Sequence, residues 1–352
     1  MPEVTAYSID APDGEFTKTT ITRREPGPTE VYVEIKYSGI CHSDIHTARS
    51  EWGRAMYPLV PGHEIAGIVT AVGSDVTKHK VGDRVGIGVS VDSCRECDEC
   101  LSGNEHFCTG KGDKRKVMTY NSIGRDGQPT AGGYATGITV EEDFAIRIPE
   151  SIPLDKAAPL LCAGVTTYSP LKYWGAGPGK KVGVVGVGGL GHMAVQIAAK
   201  MGAEVVGLGR TLAKRDDALA LGATEYVATT DADSMKKLRG QFDIIISSVS
   251  DGLDIDLMVG LLKNRGVLVE VGLPQHPATF RIGSLVGRNK VLAGSNVGSL
   301  AEMQECLDFC AEHGIASWVE VIGGDEIDEA YEKVVASDVR YRFVIDTGTF
   351  DA

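Results

Sequence analysis

The sequence predicts an α/β-plus-β protein of two domains, and three observations carry that expectation. The chain has 352 residues, close to two domains at about 150 residues each. Residues 1–155 hold short alternating apolar runs punctuated by Gly and Pro, the pattern of an all-β fold. From Lys181 onward, apolar strands alternate with helical segments, which implies a doubly wound parallel sheet covered on both faces.

Taken in order, VYVEIKYSG, AGIVTAV and DRVGIGVS read as strands, with turns in EPGPTE and TAVGSDV. The grammar changes near Pro153: LDKAAPLLCAGVTTYSPLKYW reads as helix and GAGPGKK as a loop. KVGVVGV is then a buried strand, HMAVQIAAKMG a helix and EVVGLG the next strand. DDALALGA reads as helix, and EYVAT, FDIIISSV and GVLVEVG as further strands. After residue 296 come a helix, SLAEMQECLDFCAEHG, and a last strand, RYRFVIDTG.

Composition removes whole classes of function. Thirty-five Lys and Arg against 48 Asp and Glu leave a net charge of −13, whereas a nucleic-acid surface needs a basic footprint. The start, MPEVTAYSIDAPDGEF, lacks a basic segment followed by an apolar run, so no signal peptide is expected. No apolar stretch approaches the roughly 18 residues of a membrane span. The expectation is a soluble, cytoplasmic protein with no membrane or nucleic-acid partner. Eight cysteines are too sparse for a disulfide scaffold. Cys306 and Cys310, at helical i, i+4 spacing, read as packing residues.

Gly186-Val187-Gly188-Gly189-Leu190-Gly191 is a G-x-G-x-x-G sequence placed between a buried strand and a helix. In that context the glycines allow a tight turn and let backbone approach a pyrophosphate at the helix N-terminus. An NAD site carries Asp or Glu about 20 residues further on, for the ribose 2′-OH. Here that place holds Gly209, followed by Arg210, Thr211, Lys214 and Arg215. Cations and a hydroxyl suit a 2′-phosphate, so NADP(H) is the expected coenzyme. The alternative is a solvated basic helix start.

Two further constellations are metal-like. Cys94-x2-Cys97-x2-Cys100-x7-Cys108 offers four thiolates in one loop, a closed tetrahedral set suited to structural zinc. An iron–sulfur cluster is the rival, although its run expects the fourth Cys sooner and followed by Pro, where Thr109 follows Cys108. Cys41, His63 and Cys162 are dispersed in GICHSDIH, VPGHEIAG and LLCAG. Two thiolates and an imidazole leave a fourth position open, as catalytic zinc requires, but the sequence alone does not make them neighbours.

The chain resembles the zinc-dependent medium-chain alcohol dehydrogenases, most closely the cinnamyl alcohol dehydrogenase-like branch. GICHSDIH, YPLVPGHEIAG, VGDRVG, the four-Cys loop, YNSIGRDGQPTAGGYA, APLLCAG, GVGGLGH and VRYRFVID carry the resemblance along essentially the whole chain. It implies a GroES-like catalytic domain (1–155), an inserted Rossmann NADP-binding domain (156–296) and a segment, 297–352, returning to the first. It implies two zinc ions, catalytic on Cys41, His63 and Cys162 and structural on Cys94, Cys97, Cys100 and Cys108. Glu64 would be a transient zinc ligand and Asp44 the partner orienting His63. Ser43 would donate a proton to the developing alkoxide, replenished through the coenzyme ribose and His46. Thr166, Val271 and Arg342 would contact the coenzyme, with Arg340 competing for the last role.

Three departures loosen the likeness. His42 stands where some relatives have an Arg against pyrophosphate, Met118 where plant cinnamyl enzymes place Trp, and Asn296 where they have a pocket Phe. Trp52 would be an aromatic wall of the substrate pocket. The resemblance therefore implies an enzyme interconverting aldehydes and primary alcohols over a broad aromatic and aliphatic range, as a homodimer. Two other readings stay open: an NAD-dependent polyol or secondary-alcohol dehydrogenase, and a non-catalytic nucleotide-binding redox sensor.

Overall fold

The computed structural model describes residues 2–274 and 276–351. The chain divides into two compact units, one formed by Met1–Cys162 with Gly298–Ala352 and the other by Ala163–Val297. Residues 156–162, assigned by sequence to the second domain, thus belong to the first unit. The expected single helix is interrupted there: Leu154–Ala157 is α-helical, Ala158–Leu161 a 3-10 turn, and Cys162 breaks the run before the helix Ala163–Tyr173. Leu161 explains the boundary, because its side chain packs where a Cβ on Gly86 would lie.

The first unit is built on β strands. In chain order these are β1 (Glu3–Ser8), β2 (Thr17–Thr22), β3 (Glu30–Gly39), β4 (Ile65–Val72), β5 (Arg84–Ile87), β6 (Ser90–Asp92), β7 (Val117–Met118), β8 (Gly137–Glu141) and β9 (Ile146–Arg147). The predicted strand DRVGIGVS is split between β5 and β6. β1 and β2 lack a long apolar run and went unpredicted, yet they pair antiparallel from Glu3–Thr22 to Ser8–Thr17. In the second unit, β10 (Lys181–Val185), β11 (Glu204–Gly209), β12 (Glu225–Ala228), β13 (Phe242–Ser247), β14 (Leu262–Glu270) and β15 (Val291–Gly294) form one sheet. The last strands, β16 (Val319–Ile322) and β17 (Arg342–Asp346), return to the first unit.

β17 pairs antiparallel with β3 and extends the sheet β16-β17-β3-β4-β5-β9, against which β8 also pairs through β3. Val31, Val33, Ile65, Val69, Val85, Ile87 and Val140 are fully buried on it; β-branched residues on a pleated surface explain why these segments are strands. A second core joins Ile40 and Ile45 to Tyr134, Tyr331, Phe343 and Phe350. It packs the short helix His42–Ala48 (HSDIHTA), which carries the candidate catalytic residues.

The six-stranded sheet runs β12-β11-β10-β13-β14-β15 and is parallel throughout. Its strand order reverses at β10/β13, the switch point where open α/β sheets bind ligands at the carboxyl ends of their strands. Val182, Val184, Val206, Leu208, Ile245 and Leu268 are all fully buried, as sheets covered on both faces require.

Candidate active site and metal centres

Cys41 lies two residues past the end of β3 and stands as N-cap of His42–Ala48; His63 and Glu64 immediately precede β4, and Cys162 follows the 3-10 turn. The sheet brings them together. One ligand atom from each of Cys41, His63, Glu64 and Cys162 lies within 4.8 Å of every other, and all four residues are buried. Dispersed residues that sequence could only nominate are therefore neighbours.

The surroundings favour a metal. Asp44 is completely buried, and its Oδ1 lies 2.9 Å from His63 Nδ1. An Nδ1–H donated to that carboxylate leaves Nε2, 3.3 Å from Cys162 Sγ, as the coordinating nitrogen. Asp44 also accepts the Cys41 amide (2.9 Å) and the Gly62 amide (3.2 Å), so one carboxylate ties the Cys41 turn to the Gly62-His63 segment. The Cys162 thiol holds the Cys41 pKa well below its ordinary value against the effect of burial, with Arg342 and His63 adding to it. A thiolate is the ligand form. One oxygen of Glu64 is paired with Arg342, while the other, Oε2, is buried without a hydrogen-bond partner. An orphaned buried carboxylate oxygen among two thiols and an imidazole fits a divalent, zinc-type cation.

Cys94, Cys97, Cys100 and Cys108 likewise lie with their sulfurs within 4.8 Å of one another. The loop turns its amides toward sulfur: Cys97 N–H donates to Cys94 Sγ (3.2 Å), and the Cys94 and Gly110 amides donate to Cys108 Sγ (both 3.4 Å). Amide donors from Cys100 and Thr109 pull the Cys97 pKa down to about 6. Burial pushes the Cys100 thiol the other way, up to about 12, but four sulfurs gathered in one loop with amides aimed at them fit a closed structural zinc site and keep no position for substrate.

Beside the buried cluster, the Ser43 hydroxyl lies 3.6 Å from Cys41 Sγ. His46, one turn along the same helix, pairs through Nδ1 with Glu51 and stacks on Trp52 with ring centroids 4.6 Å apart. Trp52 remains 43% exposed, which suits a pocket wall more than a core residue. Met118 is half-buried in β7. Sequence reasoning missed Glu51 and Tyr120. Glu51 lies beyond the end of the helix and shares no periodicity with His46. Tyr120 packs against His63 with centroids 6.0 Å apart and reaches the Ser43 carbonyl at 3.4 Å, a long-range contact no local pattern announces.

Arg342, expected against the coenzyme, is 3% exposed and pairs with Glu64. Arg340 instead lies with its guanidinium carbon 5.0 Å from the Trp318 ring centroid.

In the second unit, Gly186 has φ 83° and turns the chain out of β10. A side chain on Gly191 would collide with the Gly186 carbonyl, and one on Gly188 would meet nothing within 4 Å, leaving backbone open to a ligand. The helix Gly191–Lys200 begins after Leu190, whose side chain makes no cap, so its first amides suit an anion such as the pyrophosphate of a dinucleotide. His192 Nδ1 reaches the Gly189 carbonyl at 2.8 Å. Burial lowers its pKa to about 4 against the pull of the Gly188 and Gly189 carbonyls, so a neutral imidazole donates its N–H and braces the glycine turn. Gly209 ends β11, with Arg210, Thr211 and Arg215 exposed and Lys214 half-buried after it. Thr166 is buried in Ala163–Tyr173, Val271 follows β14 half-buried, and Asn296 is exposed in the segment after β15.

Residues 27–150 match the alcohol dehydrogenase GroES-like domain family and residues 189–312 the zinc-binding dehydrogenase family. The NADP-dependent alcohol dehydrogenase C 1 of Mycolicibacterium smegmatis is 57% identical, covering 99% of each chain. A cinnamyl alcohol dehydrogenase structure from Sorghum bicolor superposes with a TM-score of 0.94 at 43% identity, over 99% of this chain and 98% of that one. That of the Helicobacter pylori enzyme complexed with NADP(H) gives 0.92 at 40% identity, over 98% of both. The chain belongs to the zinc-dependent medium-chain alcohol dehydrogenases, in their cinnamyl alcohol dehydrogenase-like branch, and is an enzyme.

Proposed function

We propose that this protein interconverts aldehydes and primary alcohols with NADP(H), favours reduction, and accepts a broad range of aromatic and aliphatic aldehydes. The observation that carries the reading is the buried cluster of Cys41, His63 and Cys162 with a proton-bearing Ser43 hydroxyl at its edge. Zinc held by those three residues supplies Lewis-acid polarisation of a carbonyl, and the nicotinamide supplies the hydride.

The chain's own residues do the rest. Asp44 fixes the orientation of His63. The Arg342 guanidinium pairs with one oxygen of Glu64. Ser43 keeps a proton at its Oγ beside the pocket, and the Thr47 hydroxyl donates to the Ser43 carbonyl at 2.8 Å, fixing that turn. His46, paired with Glu51, links this turn to solvent as a proton reservoir. Trp52 offers a flat apolar face suited to aromatic aldehydes. Met118, flexible and half-buried, accommodates more than one substrate shape.

On the coenzyme side, Gly186, Gly188, Gly189, Leu190 and Gly191 would cradle the pyrophosphate. Arg210, Thr211, Lys214 and Arg215 surround the end of β11, where the ribose 2′-phosphate would lie. The similarity to NADP-dependent relatives supports this choice. Thr166, Val271 and Arg342 are proposed as further coenzyme contacts and Asn296 as a pocket residue, Arg342 acting with its guanidinium still tied to Glu64.

We propose a homodimer joined through β15, an edge strand of its sheet; Ile282 and Val286, on the helix that precedes it in the chain, are exposed. We also propose a cytoplasmic location, since none of the eight cysteines is paired in a disulfide. No helix among the described residues is long and apolar enough to cross a membrane.

The test is initial rates with benzaldehyde and cinnamaldehyde on protein carrying two zinc ions, comparing NADPH with NADH. Strong preference for NADPH is the expected result. Equal rates would refute the 2′-phosphate assignment, and no turnover with either coenzyme would refute the reaction.

A further inference from the structure

We infer that Tyr226 is a coenzyme-specificity residue, acting from β12 in two ways: it keeps position 209 free of any side chain, and it presents its hydroxyl to the 2′-phosphate. The inference rests on the reading that the end of β11 receives the adenosine ribose.

β11 and β12 run parallel with Gly207 opposite Tyr226 and Gly209 opposite Ala228. A Cβ on Gly207 would lie 2.5 Å from Tyr226 Cδ2 and 3.1 Å from Cε2. One on Gly209 would collide with Tyr226 Oη and lie 3.0 Å from Cζ. The ring therefore runs lengthwise along β11, over the groove its two glycines leave, with the hydroxyl at the strand's carboxyl end. The Ala218 methyl closes that groove, 3.5 Å from the Cβ position of Gly207. Tyr226 is only 7% exposed, so the ring cannot step aside without leaving its packing.

The consequence follows from how dinucleotide folds discriminate. An NAD site places a carboxylate at the end of the second strand, on the ribose 2′-OH. A carboxylate at position 209 needs a Cβ, and Tyr226 occupies its space. The chain thus excludes NAD-type recognition sterically, beyond lacking the acid. Among the described residues the Tyr226 hydroxyl makes no hydrogen bond. Burial pushes its pKa up, which keeps it protonated and a donor. A neutral donor beside Arg210 and Thr211 suits a phosphate oxygen and adds direction to the attraction of the cations.

A tyrosine that merely fills the glycine groove would do so equally well as phenylalanine, and this separates the two accounts. The experiment uses zinc-loaded full-length enzyme, with coenzyme KM and Kd measured for NADPH and NADH. Tyr226→Phe is expected to weaken NADPH roughly tenfold and leave NADH unchanged. Gly209→Asp alone is expected to lower Tm and bind both coenzymes poorly. Gly209→Asp with Tyr226→Val is expected to recover Tm and gain at least tenfold in NADH affinity over Gly209→Asp. An unchanged NADPH-to-NADH ratio in Tyr226→Phe overturns the hydroxyl role. A Gly209→Asp single variant that matches the double variant in Tm and NADH binding overturns the steric role. A wild-type enzyme that does not discriminate between the coenzymes overturns the site reading itself, and is seen before any variant is made.

Discussion

The Arg342 guanidinium is ion-paired with the Glu64 carboxylate inside the catalytic unit, with Glu64 wholly buried and Arg342 3% exposed. Glu64 Oε2 and Arg342 Nε are both buried without hydrogen-bond partners, so the pair is incompletely satisfied and faces the ligand cluster. Removing one partner strands a buried charge. Arg342→Met is expected to lose about 3–5 kcal/mol of stability, and the double variant Arg342→Met/Glu64→Gln to recover much of it. Denaturant titration of the zinc-loaded proteins checks this. A double variant as unstable as the single one would show that Arg342 acts through packing alone.

Asp44 gives the second prediction. Its carboxylate holds His63 Nδ1 and the amides of Cys41 and Gly62. Asp44→Asn is expected to weaken the catalytic zinc roughly 10–100-fold while the four-cysteine zinc is retained. Competition with a chelator should therefore release one metal early and one late. Simultaneous release would contradict the independence of the two sites.

Strands with buried β-branched runs, β3, β4, β10, β11 and β13, were legible because period and residue type agree. β1 and β2 were not, since their stability comes from pairing with each other and the β1 contact to Tyr134 rather than from local apolar content. The four-cysteine site was legible because its ligands share one loop. Cys41, His63 and Cys162 were not legible as a cluster from spacing alone; the fold joins residues up to 121 positions apart (41 to 162). The Glu64 partner of Arg342 was likewise not legible in the sequence. That pairing depends on β17 returning beside β3.

His46 and Glu51 give the third prediction. The imidazole is held by Glu51 on one side and Trp52 on its face, and it is the proposed proton route between the Ser43 turn and solvent. Glu51→Gln keeps the shape and removes the carboxylate charge paired with His46 Nδ1. The expected effect is a fall in kcat of about tenfold, below the 10²–10⁴ of a complete general acid–base group, with KM for the aldehyde little changed. An equal loss in Glu51→Asp, or a change confined to KM, would count against a proton-relay role.

Glu270 gives the last. It closes β14 opposite Ser247 on β13, and its Oε1 is buried without a hydrogen-bond partner, as is the Ser247 hydroxyl. Burial raises its pKa from 4.5 to about 7, with Ser247 pulling slightly the other way. At pH values below 4.5 the carboxyl is protonated in folded and unfolded chains alike, and the folded state bears no charge penalty. Between 4.5 and 7 the unfolded chain releases its proton while the folded chain keeps it, so stability falls as pH rises, and above 7 the loss is complete. The group is partly solvated, which reduces the effect to about 2 kcal/mol. Glu270→Gln has no proton to release. Its stability relative to wild type, measured without coenzyme, should therefore be lowest near pH 4.5 and rise by about that amount by pH 8. A difference independent of pH would mean that Glu270 ionises in the folded chain as freely as in water.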